Sequence, residues 1–280
     1  MGRSERERLR ETRLRQTLAI GSAGLAAALL LLTLHTQLTT ASAGDVARKP
    51  IVLVELFTSE GCSSCPPADA LLKTLSEEQP VAGVEIVALE EHVDYWDQQG
   101  WKDPFSSSQF TERQQGYAEA FRNRGVYTPQ MVVDGRREFV GSHTRDAEEA
   151  IRRAASVPKA AIELKKREGA GKETASFSLV VGPLAQPLIP SKTELWVAVT
   201  EKSLQSDVKA GENSGETLRH AAVVRTIQRI KTTRGSDNFP DGFTVEIKSN
   251  WKPENLRVVV FLVDKSSRGV VGVGTAEIPR

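Results

Sequence analysis

The chain has 280 residues, and its 37 Lys and Arg against 36 Asp and Glu give a formal net charge of +1. At roughly 100–200 residues per domain, this length predicts two domains once a leader is set aside. A charge so nearly balanced gives no sign of nucleic acid as a partner. Two cysteines are too few for a scaffold stapled by scattered disulfides.

The N-terminus has the layout of a signal peptide. Six arginines and three glutamates between residues 3 and 15 precede an apolar core from Leu18 to Leu34, and Ala41-Ser42-Ala43 supplies the small residues of a cleavage site. We predict a signal peptide over residues 1–43. Because the core approaches the ~20 residues of a membrane-spanning helix, an uncleaved anchor is the alternative. Either way the remainder is exported, periplasmic or secreted, and an anchor would be its only contact with a membrane.

A predicted strand and helix flank the two cysteines. Residues 51–57 form an apolar run interrupted by Glu55 alone, which is typical of a buried strand in a parallel or mixed sheet. Residues 68–78 carry apolar side chains at helical spacing, after two prolines that fit a first helical turn. Cys62 and Cys65 therefore lie between the strand and the helix.

The elements that follow complete an alternating unit of strands and helices. Residues 84–89 predict a second strand, 104–124 one or two inserted helices, and 144–155 a closing helix. Asp134-Gly135 between two short runs predicts a β-hairpin. Right-handed crossovers leave few other ways to arrange the order β, α, β, α, β, β, α.

The second half of the chain has a different pattern. Short β-branched runs recur between turn residues, near Ala161, Phe177, Leu195, Ala222, Phe243, Val258 and Val270. The expected fold class is an α/β thioredoxin-like domain at residues 48–156, with a helical insertion at about 97–125. An all-β sandwich-like domain follows at residues 157–280.

The Cys-x-x-Cys spacing serves redox, zinc and haem sites alike, and the rest of the sequence distinguishes between them. Structural zinc normally takes four ligands, and outside the leader only three histidines accompany the cysteines. Haem attachment needs a histidine where Pro66 stands. A helix N-terminus favours a thiolate and lowers a thiol pKa. We therefore predict that Cys62 and Cys65 are a catalytic redox pair that uses no cofactor and no metal.

These residues resemble the thioredoxin superfamily. The motif Cys62-Ser63-Ser64-Cys65 follows the first strand, and Thr128-Pro129 just before the hairpin is similar to the cis-proline loop. The resemblance implies that Cys62 attacks the substrate and that Cys65 resolves the mixed disulfide. It also implies that Thr128 and Pro129 bind substrate and that their peptide bond is cis.

Longer stretches are similar to a mainly bacterial secreted family, the domain of unknown function 1223. The matching segments are residues 57–69, 92–97, 127–130, 211–213 and 218–220. This resemblance covers nearly the whole mature chain. It implies a fold and no established reaction.

Polar residues near the ends of the predicted strands are further site candidates. Glu55 is a candidate proton relay to Cys65, and the alternative is a glutamate at a strand edge that reaches water. The second strand is followed by His92, Asp94, Tyr95 and Trp96. Because parallel strands end at one edge of a sheet, we predict that these four bind substrate; packing is the alternative for Trp96.

One polar cluster stands out in the second half, formed by Glu212, Asn213, Arg219 and His220. A solvated turn accounts for such residues, and a contact with the redox site is the alternative.

The predicted function is that of an exported thiol:disulfide oxidoreductase-like protein that exchanges disulfides with a protein or small-molecule thiol. Two alternatives stay open. A periplasmic metal-binding protein, for copper as an example, would use Cys62, Cys65 and His92 and would purify with stoichiometric metal. A non-catalytic binding module would keep its function after both cysteines were replaced.

Overall fold

The structure is a computed structural model that describes residues 49–169, 171, 173–184, 192–234 and 239–278. The predicted signal peptide at residues 1–43 lies outside these ranges. Residues from Lys49 onward form one compact unit. Among the residues described, no helix is both long enough and apolar enough to span a bilayer.

The elements of the first half agree with those predicted from the sequence. They are β1 (Ile51–Thr58), α1 (Pro66–Glu78), β2 (Glu85–His92), α2 (Ser108–Phe121), β3 (Gln130–Val133), β4 (Arg137–Val140) and α3 (Thr144–Ala155). The predicted hairpin at Asp134-Gly135 is present, and both residues have positive φ angles of 49° and 60°. The second strand runs three residues further than expected, to His92, and so carries polar residues into the sheet.

The second half contains nine strands and one short 3₁₀ helix among its described residues. The strands are β5 (Ala160–Arg167), β6 (Thr174–Val181), β7 (Thr193–Glu201), β8 (Leu204–Asp207), β9 (Thr217–His220), β10 (Val223–Thr233), β11 (Gly242–Glu246), β12 (Leu256–Asp264) and β13 (Val270–Glu277). The 3₁₀ helix spans Pro253–Asn255. The β8–β9 hairpin was not predicted from the sequence.

The expected fold class, a thioredoxin-like domain followed by a separate β-sandwich, is wrong. Eleven strands form one mixed sheet in the order β11-β6-β5-β13-β12-β7-β10-β2-β1-β3-β4, with three α-helices in the ranges described. The two halves join where Val223 of β10 pairs in parallel with Glu90 of β2. Each strand was recognisable from local pattern, but pairing across more than 130 residues leaves no local signal.

The first strand separates two parts of the core. Because side chains alternate along a strand, Val52, Val54 and Leu56 face one way and pack with Leu72 and Leu75 of α1. The intervening Leu53 and Phe57 face the other way and pack with Tyr117 of α2 and Phe261 of β12. The face toward α1 is therefore the one that can meet the cysteines.

Candidate functional site

The two cysteines lie in a tight turn between β1 and α1. Cys65 is the N-cap of α1, and its own N–H donates to the carbonyl of Cys62 at 3.1 Å. The sulfurs are joined in a disulfide, and both residues have 0% of their surface exposed. Ser63 and Ser64 between them are exposed. The disulfide is thus near the surface but covered by its surroundings.

The predicted cis-proline loop lies against the disulfide. The Thr128-Pro129 peptide bond is cis, as predicted. The Thr128 hydroxyl donates to Cys62 Sγ at 3.3 Å, and Trp96 Nε1 donates to Thr128 Oγ1 at 2.8 Å. Trp96 also lies over Gly61, where a Cβ would stand 3.3 Å from the Trp96 Cβ. Three of the predicted substrate-binding residues are therefore grouped beside Cys62.

Asp94 and Tyr95 make their hydrogen bonds to α2 rather than to the cysteines. Asp94 Oδ1 accepts from the Thr111 hydroxyl at 2.6 Å, and the Tyr95 hydroxyl donates to Gln114 Oε1 at 3.3 Å. Both residues lie shortly after the end of β2, so they fix the start of the inserted segment against α2.

Glu55 lies on the other face of β1, away from α1. Its carboxylate accepts from Arg113 Nε at 2.6 Å and from the Tyr117 hydroxyl at 2.5 Å, all in the buried core. Burial opposes the charge on Arg113, but the neighbouring carboxylates raise its pKa above the usual value. Burial also raises the pKa of Glu91, which lies 3.5 Å from Arg113, and so favours its neutral form. The structure does not bring Glu55 to the cysteines.

His92 is buried in a polar network with Asp103 and Glu90. Its Nδ1 lies 2.7 Å from Asp103 Oδ2, and its Nε2 lies 3.6 Å from Glu90 Oε1. The same Asp103 oxygen accepts the backbone N–H of Glu60 at 2.8 Å. Glu60 stands two residues before Cys62, so this network fixes the approach to the cysteine turn.

His220, from the end of β9, closes the network into a ring. Its Nδ1 lies 2.7 Å from Glu90 Oε1, and its Nε2 lies 3.1 Å from Glu60 Oε1. The second oxygen of Glu60 accepts from Trp101 Nε1 at 2.8 Å. The second oxygen of Glu90 accepts the backbone N–H of Ala221 at 2.9 Å.

The buried histidines and carboxylates of the network favour each other's charged forms. Burial opposes the charge on both imidazoles, but Glu90 raises the pKa of His220 to about 9, and Asp103 raises that of His92 well above its usual value. Burial likewise opposes the charge on Glu90, and His220 nevertheless lowers its pKa. We therefore describe the ring as paired imidazolium and carboxylate groups.

Within the part of the chain that the structure describes, Glu90, His92 and His220 are spaced closely enough to hold a metal ion. Ligand atoms of Glu90, His92 and His220 lie within 4.8 Å of one another, and His92 Nε2 has no hydrogen-bond partner. Both ring nitrogens of His220 face carboxylate oxygens, so a metal ion bound through His220 would displace one of these two contacts.

Asp69 is a buried acid next to the cysteine turn, and the sequence reasoning did not select it as a candidate. It lies one turn after Cys65 on α1, and its N–H donates to the Cys65 carbonyl at 3.1 Å. Its carboxyl is buried and accepts from the Thr58 hydroxyl at 2.7 Å. Burial, with the nearby Glu90, raises its pKa to about 7. An acid four residues after a cysteine at a helix start shares its face, which is the signal that would have identified it.

The polar cluster of the second half meets the cysteine turn. Asn213 and Glu212, from the turn of the β8–β9 hairpin, bond to the backbone around Cys62. His220 belongs to the buried ring, whereas Arg219 is exposed. Three of the four members of the cluster, Glu212, Asn213 and His220, therefore contact residues 60–63 at the cysteine turn.

Two solved structures resemble the whole described unit. A protein of Agrobacterium tumefaciens is 28% identical, with 82% of this chain and 95% of that chain covered and a TM-score of 0.58. HBP35 of Porphyromonas gingivalis is 17% identical, with 82% and 76% covered and a TM-score of 0.56, which shows a shared fold alone. None of the curated proteins matches the chain.

The family profile is consistent with the resemblance drawn from the motifs. The protein family of unknown function DUF1223 matches residues 53–263, which include the cysteine turn, the buried ring and the β8–β9 hairpin. The match extends over more than half of the chain. The chain therefore belongs to the DUF1223 family.

Proposed function

We propose that the protein is an exported thiol:disulfide oxidoreductase in which Cys62 and Cys65 exchange disulfides with a protein or small-molecule thiol. The observation that carries the proposal is the Cys62–Cys65 disulfide at the start of α1, with the Thr128 hydroxyl donating to Cys62 Sγ. A helix N-terminus stabilises a thiolate, and so makes Cys65 a good leaving group.

The exchange takes two steps that balance. A substrate thiolate attacks Cys62 Sγ; a substrate–Cys62 disulfide forms, the Cys62–Cys65 bond breaks, and Cys65 leaves as a thiolate. A second substrate thiolate then attacks the substrate sulfur of the mixed disulfide and releases Cys62 as a thiolate. The substrate is oxidised by two electrons and the cysteine pair is reduced. The reverse sequence reduces a substrate disulfide.

Asp69 replaces Glu55 as the acid and base of this proposal. It shares the first turn of α1 with Cys65, and its pKa of about 7 keeps both protonation states populated near neutral pH. In the oxidising direction it donates a proton to the departing Cys65 thiolate; in the reducing direction it takes that proton back. Glu55 is committed to Arg113 and Tyr117 on the far side of β1.

Thr128, Pro129 and Trp96 form the substrate side of the proposed site. The Thr128 hydroxyl donates to Cys62 Sγ, so a substrate sulfur that reaches Cys62 would lie beside Thr128. His92, Asp94 and Tyr95 hold this part of the chain in place. His92 does so through the buried ring, and Asp94 and Tyr95 do so through α2.

The proposal is tested by trapping the mixed disulfide. Cys65→Ser leaves no resolving thiol, so it should accumulate a mixed disulfide through Cys62 with a peptide disulfide. Cys62→Ser should accumulate none. Ser249→Ala, at an exposed serine of the second half, is the control and should behave as wild type. Non-reducing electrophoresis and mass spectrometry of the adduct measure the result.

Three outcomes would contradict the proposal. Equal trapping by both cysteine variants would show that the two thiols are equivalent. If the wild-type protein showed no exchange activity, the non-catalytic binding module would be the favoured alternative. Stoichiometric metal on the reduced protein, lost in either cysteine variant, would favour the metal-binding alternative.

A further inference from the structure

We propose that Asn213 and Glu212 are positioning residues that hold the cysteine turn closed and thereby limit how fast the disulfide reacts. The inference rests on the proposed function, because closure matters only if the disulfide is exchanged. Both residues come from the turn of the β8–β9 hairpin, about 150 positions along the chain from the cysteines they hold.

Asn213 binds the backbone on both sides of Gly61. Its Nδ2 donates to the carbonyl of Glu60 at 2.8 Å and to that of Cys62 at 3.1 Å. The residue is 6% exposed. One amide group thus uses both of its N–H bonds to fix the two carbonyls next to the reactive cysteine.

Glu212 holds the other side of Cys62. Its Oε2 accepts the backbone N–H of Ser63 at 2.9 Å, and this bond lowers the pKa of the carboxyl group. The carboxyl is exposed, so its removal leaves no buried charge behind. Together Glu212 and Asn213 fix the backbone from Glu60 to Ser63.

The hairpin is itself held in place at two further points. Gly211, with φ of 76°, packs against the Trp101 Cβ and against Gly100 of the inserted segment. At the end of β9, His220 bonds to the Glu60 carboxylate. The hairpin is therefore a fixed support from which the two side chains reach the cysteine turn.

Closure has a chemical consequence. An attacking thiolate needs access to Cys62 Sγ, and both cysteines have no exposed surface. Reaction must then proceed from a locally opened turn, whose population depends on the bonds that hold it shut. Losing one such hydrogen bond, at about 1 kcal/mol, multiplies that population by about 5.

The test measures reduction of the Cys62–Cys65 disulfide by dithiothreitol in the full protein, followed by mass spectrometry of alkylated thiols. Glu212→Ala, which removes the acceptor of the Ser63 N–H, should speed reduction by about 2- to 5-fold. Asn213→Ala, which loses two bonds, should speed it by about 5- to 20-fold. Glu216→Ala is the matched control, since Glu216 is an exposed carboxylate in the same turn, and it should leave the rate unchanged. The midpoint redox potential of each variant is measured in parallel.

Rates for Glu212→Ala and Asn213→Ala within 1.5-fold of wild type would overturn the inference, as would slower reduction. If Asn213→Ala fails to fold by circular dichroism, the exposed Glu212→Ala and the near-isosteric Asn213→Asp carry the test. Dithiothreitol reduction needs no substrate exchange. If the protein exchanges no disulfide with substrate but the variants are still reduced faster, the proposed function is rejected. The positioning role of Asn213 and Glu212 is then kept.

Discussion

At the residue scale, His220 lies at the end of a strand but contacts two buried carboxylates, and so contributes to the stability of the fold. Its two ring nitrogens face two buried carboxylates, Glu60 and Glu90, which come from the cysteine turn and from β2. One imidazolium thus keeps two buried negative charges paired. Without His220, the buried carboxylates of Glu60 and Glu90 would lose a positively charged partner, which is costly in the protein interior.

We expect His220→Gln to lower the free energy of unfolding by about 3–5 kcal/mol at pH 6, because it leaves buried carboxylates uncompensated. The pKa of His220 is raised to about 9 in the folded state, above its ordinary 6.5. Its stabilising contribution is therefore fully present below pH 6.5 and is lost as pH rises through 9. Urea unfolding at pH 6 and at pH 9.5 measures the difference.

His143→Gln is the control for that prediction. His143 is an exposed histidine, 3.2 Å from Asp146, and its replacement should cost less than about 0.5 kcal/mol at either pH. An equal cost of His220→Gln at both pH values would show that the ring depends on shape and not on charge.

At the element scale, α2 is held to the sheet by one buried cation. Arg113 bonds to Glu55 on β1 and lies about 5.1 Å from the ring centroids of Trp196 and Phe261. Through Arg113, the inserted helix is attached to strands from both halves of the chain. The segment that carries Asp94, Tyr95 and Trp96 depends on this attachment.

We expect Arg113→Met to destabilise the fold by about 3–5 kcal/mol, since it leaves the Glu55 carboxylate buried and unpaired. The double variant Arg113→Met, Glu55→Gln should recover a large part of that loss, because no bare charge remains. Arg124→Met, at an exposed position after α2, is the matched control and should have little effect. Urea denaturation of wild type, Arg113→Met, Glu55→Gln and the double variant gives the coupling energy, and a coupling near zero would contradict this role for Arg113.

Local elements could be predicted from this sequence, and several polar contacts could not. Apolar runs and periodicity located β1, α1, β2 and α3, and the Asp134-Gly135 turn located β3 and β4. Glu55 was assigned to the cysteines because it is near them in sequence, but strand alternation points it to the other face. Asp69 was overlooked although its spacing from Cys65 was visible, and the hairpin anchors needed pairings between distant residues.

At the scale of the whole molecule, the continuous sheet replaces the expected pair of independent domains. Glu90 of β2 pairs with Val223 of β10, and its carboxylate also receives His220 and two backbone N–H groups. The boundary between the predicted domains therefore runs through paired strands and a buried charge network. Neither side can keep these groups satisfied alone.

We expect residues 49–156 expressed alone to lack a cooperative native state, because they lose the β10 partner of β2 and the counter-charge of Glu90. Residues 49–280 should unfold in one transition, with equal calorimetric and van't Hoff enthalpies. Differential scanning calorimetry and amide hydrogen exchange measure both. A cooperative transition in the shorter protein would restore the predicted domain boundary near residue 156.

The position of Asn213 also sets an order of events during synthesis. The ribosome makes the cysteine turn first and reaches Asn213 only 151 residues after Cys62. At about 5–20 residues per second, that interval lasts about 8–30 s. Throughout it Cys62 and Cys65 belong to a chain that lacks its hairpin, so the pair meets any oxidant, reductant or chaperone as an uncovered dithiol. The reactivity of the newborn chain therefore differs from that of the finished protein, and the change comes when the β8–β9 turn arrives.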